Sequence, residues 1–502
     1  MYSDNKKKLF LFNSASGVVQ LVLTAILVFV SIPVFFDNLG KVLYGVFAAV
    51  SVIGNLSVFA NISLDTALIK YISEQGKTKE SDHDILVTFS LLFFILIPLT
   101  LLVFIFKNFI LLTLLKVPPE FLASSSVLLN YLLLANFLLI LGKTFTAILN
   151  AKHKIYLNNL YLFIYSILYW GGMIFVILQG YGLEQIGLSI LAAAFVWFVM
   201  SLYSALKSWG AFDLSNFLDN FKRVAKKQIS YSYKVYIGGL LGVLYEPLTK
   251  ILISNLFGVS YVGIYEVMLK VKSNILSVFS KLMDPLQPII AHELNMDRLK
   301  SQIKNGCIFL FYIISPIIVI LYFCTDSIIL LWIGEENAHL ISLSIKILTS
   351  LALLLSTTVI PIYLFLRLKN HPEKEIYVQA ANAIANSLVI LLLYKQVGYY
   401  SVIWGYALSL IITFAMCIFY QKKYLNFYPF SSLKELATYG LYFIGLGLIT
   451  GLFTLIIRPD SWINIILVSV FCCLACILLL FLTGFINKET IKSYIKPVNT
   501  KK

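Results

Sequence analysis

The sequence predicts an all-α polytopic membrane protein: fourteen transmembrane helices, arranged as two pseudo-repeated six-helix lobes plus two C-terminal helices. Three observations predict it: composition, the placement of positive charge and an internal repeat. Of 502 residues, 60% are hydrophobic and 13% charged, and mean hydropathy is +0.88. A soluble chain cannot hide that much apolar surface. This excludes a soluble enzyme, a disordered chain and a secreted disulfide scaffold. The net charge of +15 belongs, in such a chain, to loops facing anionic lipid rather than to nucleic-acid binding.

A transmembrane helix needs about 20 apolar residues, and in lipid its backbone must satisfy its own hydrogen bonds. Fourteen runs qualify, at 9–33, 42–64, 85–106, 121–149, 157–179, 186–206, 229–256, 262–284, 305–325, 340–366, 376–394, 401–420, 435–457 and 462–486. Lys6, Lys7 and Lys8 resemble the start of a signal peptide. The apolar stretch behind them is too long and lacks a small-residue cleavage site, so it is expected to remain as the first span. With these lysines in the cytoplasm, alternation along fourteen spans leaves 28 Lys and Arg inside and five outside. One missed or invented span would scramble that split, so both termini are expected inside. Every outer loop is short, and no extramembrane domain is expected.

The halves of the chain repeat. Leu39-Gly40 and Gly45-Val46-Phe47 open the second span as Phe257-Gly258 and Gly263-Ile264-Tyr265 open the eighth, 218 residues on. Gly180-Tyr181 and Gly398-Tyr399 stand the same distance apart. The expected organisation is an N-terminal lobe over 1–206, a cytoplasmic linker over 207–228, a C-terminal lobe over 229–423, and two further spans with a tail over 424–502. Six spans per lobe insert both lobes the same way up. Parallel lobes with a site between them are a transporter architecture.

Six cations lie five or more residues inside spans: Lys143, Lys234, Lys250, Lys270, Lys272 and Lys346. Each charge at the bilayer centre costs about 2.5–3.5 kcal/mol. Six facing lipid would cost on the order of 15–20 kcal/mol, more than a protein's whole stability. Most must snorkel or face water; Lys143, Lys234 and Lys272, nearer the inner side, have the shorter reach. Glu246-Pro247-x-x-Lys250 and Glu266-x-x-x-Lys270 each set an acid and a base on one helix face, at similar depth in adjacent spans. Pro247 is expected to kink its helix. One reading is a partly neutralised cationic lining for an anionic substrate, with Glu246 and Glu266 as ion-coupling or pairing acids. The other is structural ion pairs that staple two helices.

Asn13, Ser16, Gln20 and Thr24 recur on one face of span one, and Gln379, Asn382 and Asn386 on one face of span eleven. They read as a polar lumen stripe. Tyr161, Tyr165 and Tyr169 fit either sugar stacking or helix packing. Asp65 reads as a helix-end charge at the interface. All six cysteines lie in apolar runs, so Cys473-x-x-Cys476 reads as packing rather than a redox or metal pair. His292-x-x-x-x-Asp297 has the spacing of an acyltransferase pair but sits in a solvated turn. No phosphate loop, nucleophile elbow or zinc motif is present. No enzyme activity, metal or cofactor is expected.

Asp65-Thr66-Ala67-Leu68-Ile69-Lys70-Tyr71-Ile72-Ser73-Glu74 is similar to the end of span two in O-antigen flippases of the Wzx type, in the polysaccharide-transport branch of the MOP exporter superfamily. Val262-Gly263-Ile264-Tyr265 through Pro285-x-x-Pro288 and Ala291 is similar to their span eight. Asp65 departs from the small residue usual there. The resemblance covers nearly the whole chain. It implies flipping of an undecaprenyl-diphosphate-linked oligosaccharide from the inner to the outer leaflet of a bacterial cytoplasmic membrane. It also implies membrane lipid as a partner, a polysaccharide polymerase and a chain-length regulator as partner proteins, and a proton or sodium gradient as drive. Lys143, Lys234, Lys250, Lys270 and Lys346 would be the lumen cations. A drug/cation antiporter of the same superfamily usually has twelve spans and an acidic interior. A lipid II flippase has fourteen spans but typically arginines inside. A membrane polymerase or ligase needs a large outer loop, which is missing.

Overall fold

The computed structural model describes residues 2–54, 64–152, 154–283, 290, 295–369, 371–426 and 433–482. They form helices joined by short turns, with no strand among the described residues. In order these are α1 (Tyr2–Gly54), α2 (Leu64–Gln75), α3 (Lys79–Ile105), α4 (Leu122–Ala151), α5 (Ile155–Ser166), α6 (Gly172–Leu178), α7 (Leu183–Trp209), α8 (Phe217–Phe257), α9 (Val259–Met283), α10 (Met296–Ile333), α11 (Glu335–Ser344), α12 (Ser350–Leu368), α13 (Pro372–Val397), α14 (Tyr400–Leu425), α15 (Leu433–Ile456) and α16 (Trp462–Leu482). A π-turn at Ile167–Gly171 joins α5 to α6, and another at Ile345–Thr349 joins α11 to α12.

Eleven helices among the described residues are long and apolar enough to cross a membrane. One of them runs Val19–Gly54 and holds two expected spans, separated where Gly40 leaves helical geometry at φ 69°. The expected seventh and eighth spans are α8 and α9. They fall outside the eleven, and α9 carries Glu266, Lys270 and Lys272 within seven residues. The helical count thus follows the fourteen expected segments. The helices outrun the apolar runs that announce them: α8 begins at Phe217, inside the expected linker, and α10 runs from Met296 to Ile333. Apolarity marks only the part that meets lipid, whereas a helix rich in Lys and Arg continues readily into water.

The chain packs as two compact units, 1–274 with 372–409, and 275–371 with 410–502. The packing units cut across the expected lobe boundary, because α8, the start of α9 and α13 pack with the first unit. Within it, α4 packs along α7, where a side chain at Gly142 would meet Trp197 at 2.4 Å. In the second unit, α15 and α16 pack on α10 through Tyr312, Val319, Tyr442, Leu446, Cys472 and Cys476. All six cysteines are free thiols. Cys476 is buried beside the Tyr442 hydroxyl at 3.0 Å, while Cys473 is exposed. The two face different surroundings, as packing residues do.

The repeat reappears in the backbone. Gly40 and Gly258 share a left-handed φ with extended ψ, at 69°/169° and 95°/165°. Gly180 and Gly398 are likewise left-handed, at φ 77° and 58°. A β-carbon resists this region. Gly45 and Gly263, the second pair, meet each other: a β-carbon on Gly263 would lie 3.3 Å from the Gly45 Cα, and one on Gly45 would lie 2.0 Å from the Val259 carbonyl oxygen. Repeat-related helices α1 and α9 therefore cross backbone to backbone within the first unit. Gly45→Ala, which sets a methyl against backbone, is expected to lower stability by about 1–3 kcal/mol. Gly171→Ala, with no atom within 4 Å, is expected to be neutral. Thermal unfolding of the purified variants in detergent checks this, and equal losses would contradict it.

Candidate functional site

The charged residues of α8 and α9 assemble around Glu266. One carboxylate oxygen pairs with Lys250 of α8, and the other lies 3.4 Å from Lys270, one turn along α9. The side chains of Lys250 and Glu266 are 9% and 14% exposed, that of Lys270 37%. Two ammonium groups thus share one carboxylate, leaving a net positive cluster with one cation partly open. Its wall is aromatic. The Lys270 ammonium stands 5.7 Å from the centre of the Trp170 ring, a cation–π distance. Trp170 sits in the π-turn that interrupts the fifth span, and such turns re-aim side chains. Tyr169 and Phe35 pack on Trp170 with ring centres 5.1 and 6.1 Å away, and Tyr44 packs on Phe35 at 5.7 Å. Tyr44 and Tyr169 lie within electrostatic range of Glu266.

This pairing differs from the one that spacing suggests. Glu246 is one turn from Lys250, yet Lys250 reaches across to Glu266 of the neighbouring helix. Glu246 instead acts electrostatically on Lys272 and on Tyr406. The Lys272 ammonium donates to the Tyr406 hydroxyl at 2.5 Å and stands 4.9 Å from the ring centre. Asn386 of α13 is fully buried and donates to Thr249 of α8 at 2.8 Å. Asn382 lies one turn earlier, half-buried.

Of the other expected site residues, Gln20 donates to Thr24, and Thr24 to Ser166 of α5, each at 3.1 Å. Asn159 donates to Ser16 at 2.9 Å, so the polar face of α1 is in contact with α5. Tyr161 shares a 2.5 Å hydrogen bond with Ser204 of α7. Lys143 is half-buried on α4 in electrostatic range of Asp65. Lys346 belongs to the second unit; it sits in the π-turn at Ile345–Thr349 and pairs with Asp326 of α10, which also accepts from Ser342. The side chains of Asn13 and Lys234 lie outside the described residues, as do His292, Pro285, Pro288 and Ala291. The structure therefore brings together Lys250, Lys270 and Glu266, and adds Trp170, Tyr44 and Tyr169, which sequence reasoning missed. A tryptophan beside the Tyr161–Tyr165–Tyr169 stripe was the available signal. Asp326 was missed because the apolar run stops one residue before it.

Removing one partner of a buried ion pair strands the other. Glu266→Gln is expected to destabilise the protein by about 3–5 kcal/mol. Lys250→Met/Glu266→Gln is expected to return within about 1 kcal/mol of wild type, since half-exposed Lys270 tolerates loss of its partner. Thermal unfolding of the purified variants reads this out. A double variant as unstable as Glu266→Gln would contradict the pairing.

The model of the polysaccharide biosynthesis protein family matches residues 11–292. No curated protein matches the sequence. Among solved structures, the lipid II flippase MurJ in its inward closed conformation superposes with a TM-score of 0.74 at 15% identity, covering 95% of this chain and 100% of that one. The inward-facing conformation of a multidrug resistance MATE family transporter of the MOP superfamily gives 0.56 at 14%, covering 83% and 95%. The MATE multidrug transporter DinF-BH gives 0.63 at 13%, covering 84% and 96%. The chain shares its fold with these transporters.

Proposed function

We propose, from the premise that the chain belongs to the polysaccharide biosynthesis protein family, that it flips an undecaprenyl-diphosphate-linked oligosaccharide from the inner to the outer leaflet by alternating access. The observation that carries this reading is the cluster of Lys250 and Lys270 on the single acid Glu266, walled by Trp170 and tyrosines. A diphosphate entering a membrane loses its hydration. Two unit charges about 4 Å apart attract by about 4 kcal/mol at intermediate dielectric, so two lysines offset much of that loss. Aromatic faces beside the cations suit a sugar ring, and the isoprenoid tail stays in lipid. Lys143 and Lys234 add to the cationic lining in this reading, and Glu246 and Glu266 exchange partners as the substrate passes. The glycan is an O-antigen or similar surface repeat unit.

A transporter of cationic drugs needs acids that outnumber bases where its cargo sits. Here bases outnumber acids two to one around Glu266, which favours an anionic cargo. Lipid II presents the same diphosphate on a different glycan.

Cells lacking the protein are expected to accumulate undecaprenyl-linked repeat units on the cytoplasmic side and to lose surface polysaccharide. Lys250→Ala/Lys270→Ala at normal expression is expected to restore less than about a tenth of the surface glycan, since about 1.4 kcal/mol of lost binding is already tenfold. Lipid-linked intermediates are measured by extraction and chromatography. Normal surface glycan in the deletion strain, with no second flippase present, would overturn the reading.

A further inference from the structure

The start of α3 carries two buried aspartates that grip different parts of the chain. Asp82 is 2% exposed. It accepts from the Trp209 indole at 2.6 Å, from the Asp213 backbone N–H at 2.9 Å and from the Lys77 ammonium at 2.5 Å. Beside it, His83 meets the Ser215 carbonyl at 3.1 Å. Lys77 lies just before α3; the other partners are the end of α7 and the chain just after it. Asp84 is wholly buried and faces α8. It accepts from Lys227 at 3.0 Å, and from Gln228 at 3.2 Å on its carboxylate and 2.9 Å on its backbone carbonyl. Thr88 donates to the far side of the Gln228 amide at 2.6 Å. Lys227 also lies 3.6 Å from Glu80 and 4.1 Å from the Tyr71 ring centre. An apolar seal of Val87, Val224 and Ala225, with Leu91, Phe217 and Phe221, lies next to this network.

The two aspartates hold opposite ends of the 207–228 linker. Asp82 holds the end continuous with α7 of the first repeat, through Trp209 and Asp213, so its contacts survive a motion of one repeat against the other. Asp84 holds Lys227 and Gln228 on α8, which runs on into the second repeat, so its contacts part with that motion. We propose that Asp84, with Lys227, Gln228 and Thr88, is the bolt of an inner gate that parts each time the two repeats separate on the cytoplasmic side. Asp82 is the fixed anchor that keeps the segment after α7 in place meanwhile. This rests on the alternating-access reading above. The bolt is suited to repeated opening because Lys227 is already 25% exposed. Water therefore reaches its ammonium, and the parted charges hydrate as the mouth opens, unlike the deeper pair of Lys250 and Glu266.

The test uses the full chain in inverted membrane vesicles with no lipid-linked glycan added. A Val224→Cys reporter in the seal is labelled with a membrane-impermeant maleimide, and labelling of the reporter-free parent is subtracted. Asp84→Asn and Lys227→Met are each expected to raise the labelling rate about tenfold, as when an open state grows from about 1% to about 10% of the population. Asp82→Asn is expected to leave that rate unchanged and to lower the yield of monodisperse protein. Unchanged labelling in folded Asp84→Asn and Lys227→Met would overturn the proposal. So would an equal rise in Asp82→Asn. Should Asp84→Asn not accumulate, Lys227→Met decides alone. Because no substrate is present, a failed flippase reading leaves this result standing for another cargo, and unchanged labelling sinks the gate whatever the cargo is.

Discussion

A positive charge held within a bilayer needs an anion, a hydrogen-bonding oxygen, an aromatic face or water, and Lys250, Lys270, Lys272 and Lys346 have each found a partner of this kind. Lys250 and Lys270 share Glu266, and Lys270 adds the face of Trp170. Lys272 takes the hydroxyl and ring of Tyr406, Lys346 takes Asp326, and Lys143 stands within the field of Asp65. The spacing of these solutions sets much of the architecture. Helices α8 and α9 are held together because an acid on one is the counter-ion of a base on the other, and Trp170 and Lys346 each sit in a π-turn that re-aims the side chain.

A second constraint works through the absence of side chains. Repeat-related glycines end the helices at Gly40 and Gly258 and let α1 and α9 cross at Gly45 and Gly263. Polar groups hold the same unit together at its cationic end, where Asp82 and Asp84 collect the end of α7 and the start of α8. Contacts of backbone on backbone and contacts of charge on charge respond differently to water. The first depend on shape alone, whereas the second weaken once solvent enters.

Much of the fold was legible in the sequence, because a lipid-facing helix must be apolar over its whole width and an interrupted run betrays its ends. The glycine pairs 218 residues apart were legible for a similar reason: left-handed backbone admits few other residues. Which charge meets which was not. Glu246 and Lys250 have ideal spacing, but rotation of α8 against α9 gave Lys250 to Glu266, and no one-dimensional pattern encodes that rotation. Trp170 escaped notice because a π-turn shifts the register on which helical spacing relies. Asp82, Asp84 and Gln228 fall just outside the expected apolar runs, and hydropathy does not distinguish a solvated polar residue from one buried by a neighbouring helix.

The claim at the centre of this account is that lysines on α8 and α9 carry an anionic lipid-linked cargo across the membrane. The most direct measurement reconstitutes the purified protein in liposomes and follows a fluorescent undecaprenyl-diphosphate-linked glycan until it becomes accessible to an impermeant reagent. The account predicts movement that requires the diphosphate and falls at least about tenfold in Lys250→Met/Lys270→Met. Movement of a neutral analogue at the same rate, or a double variant as active as wild type, would contradict it.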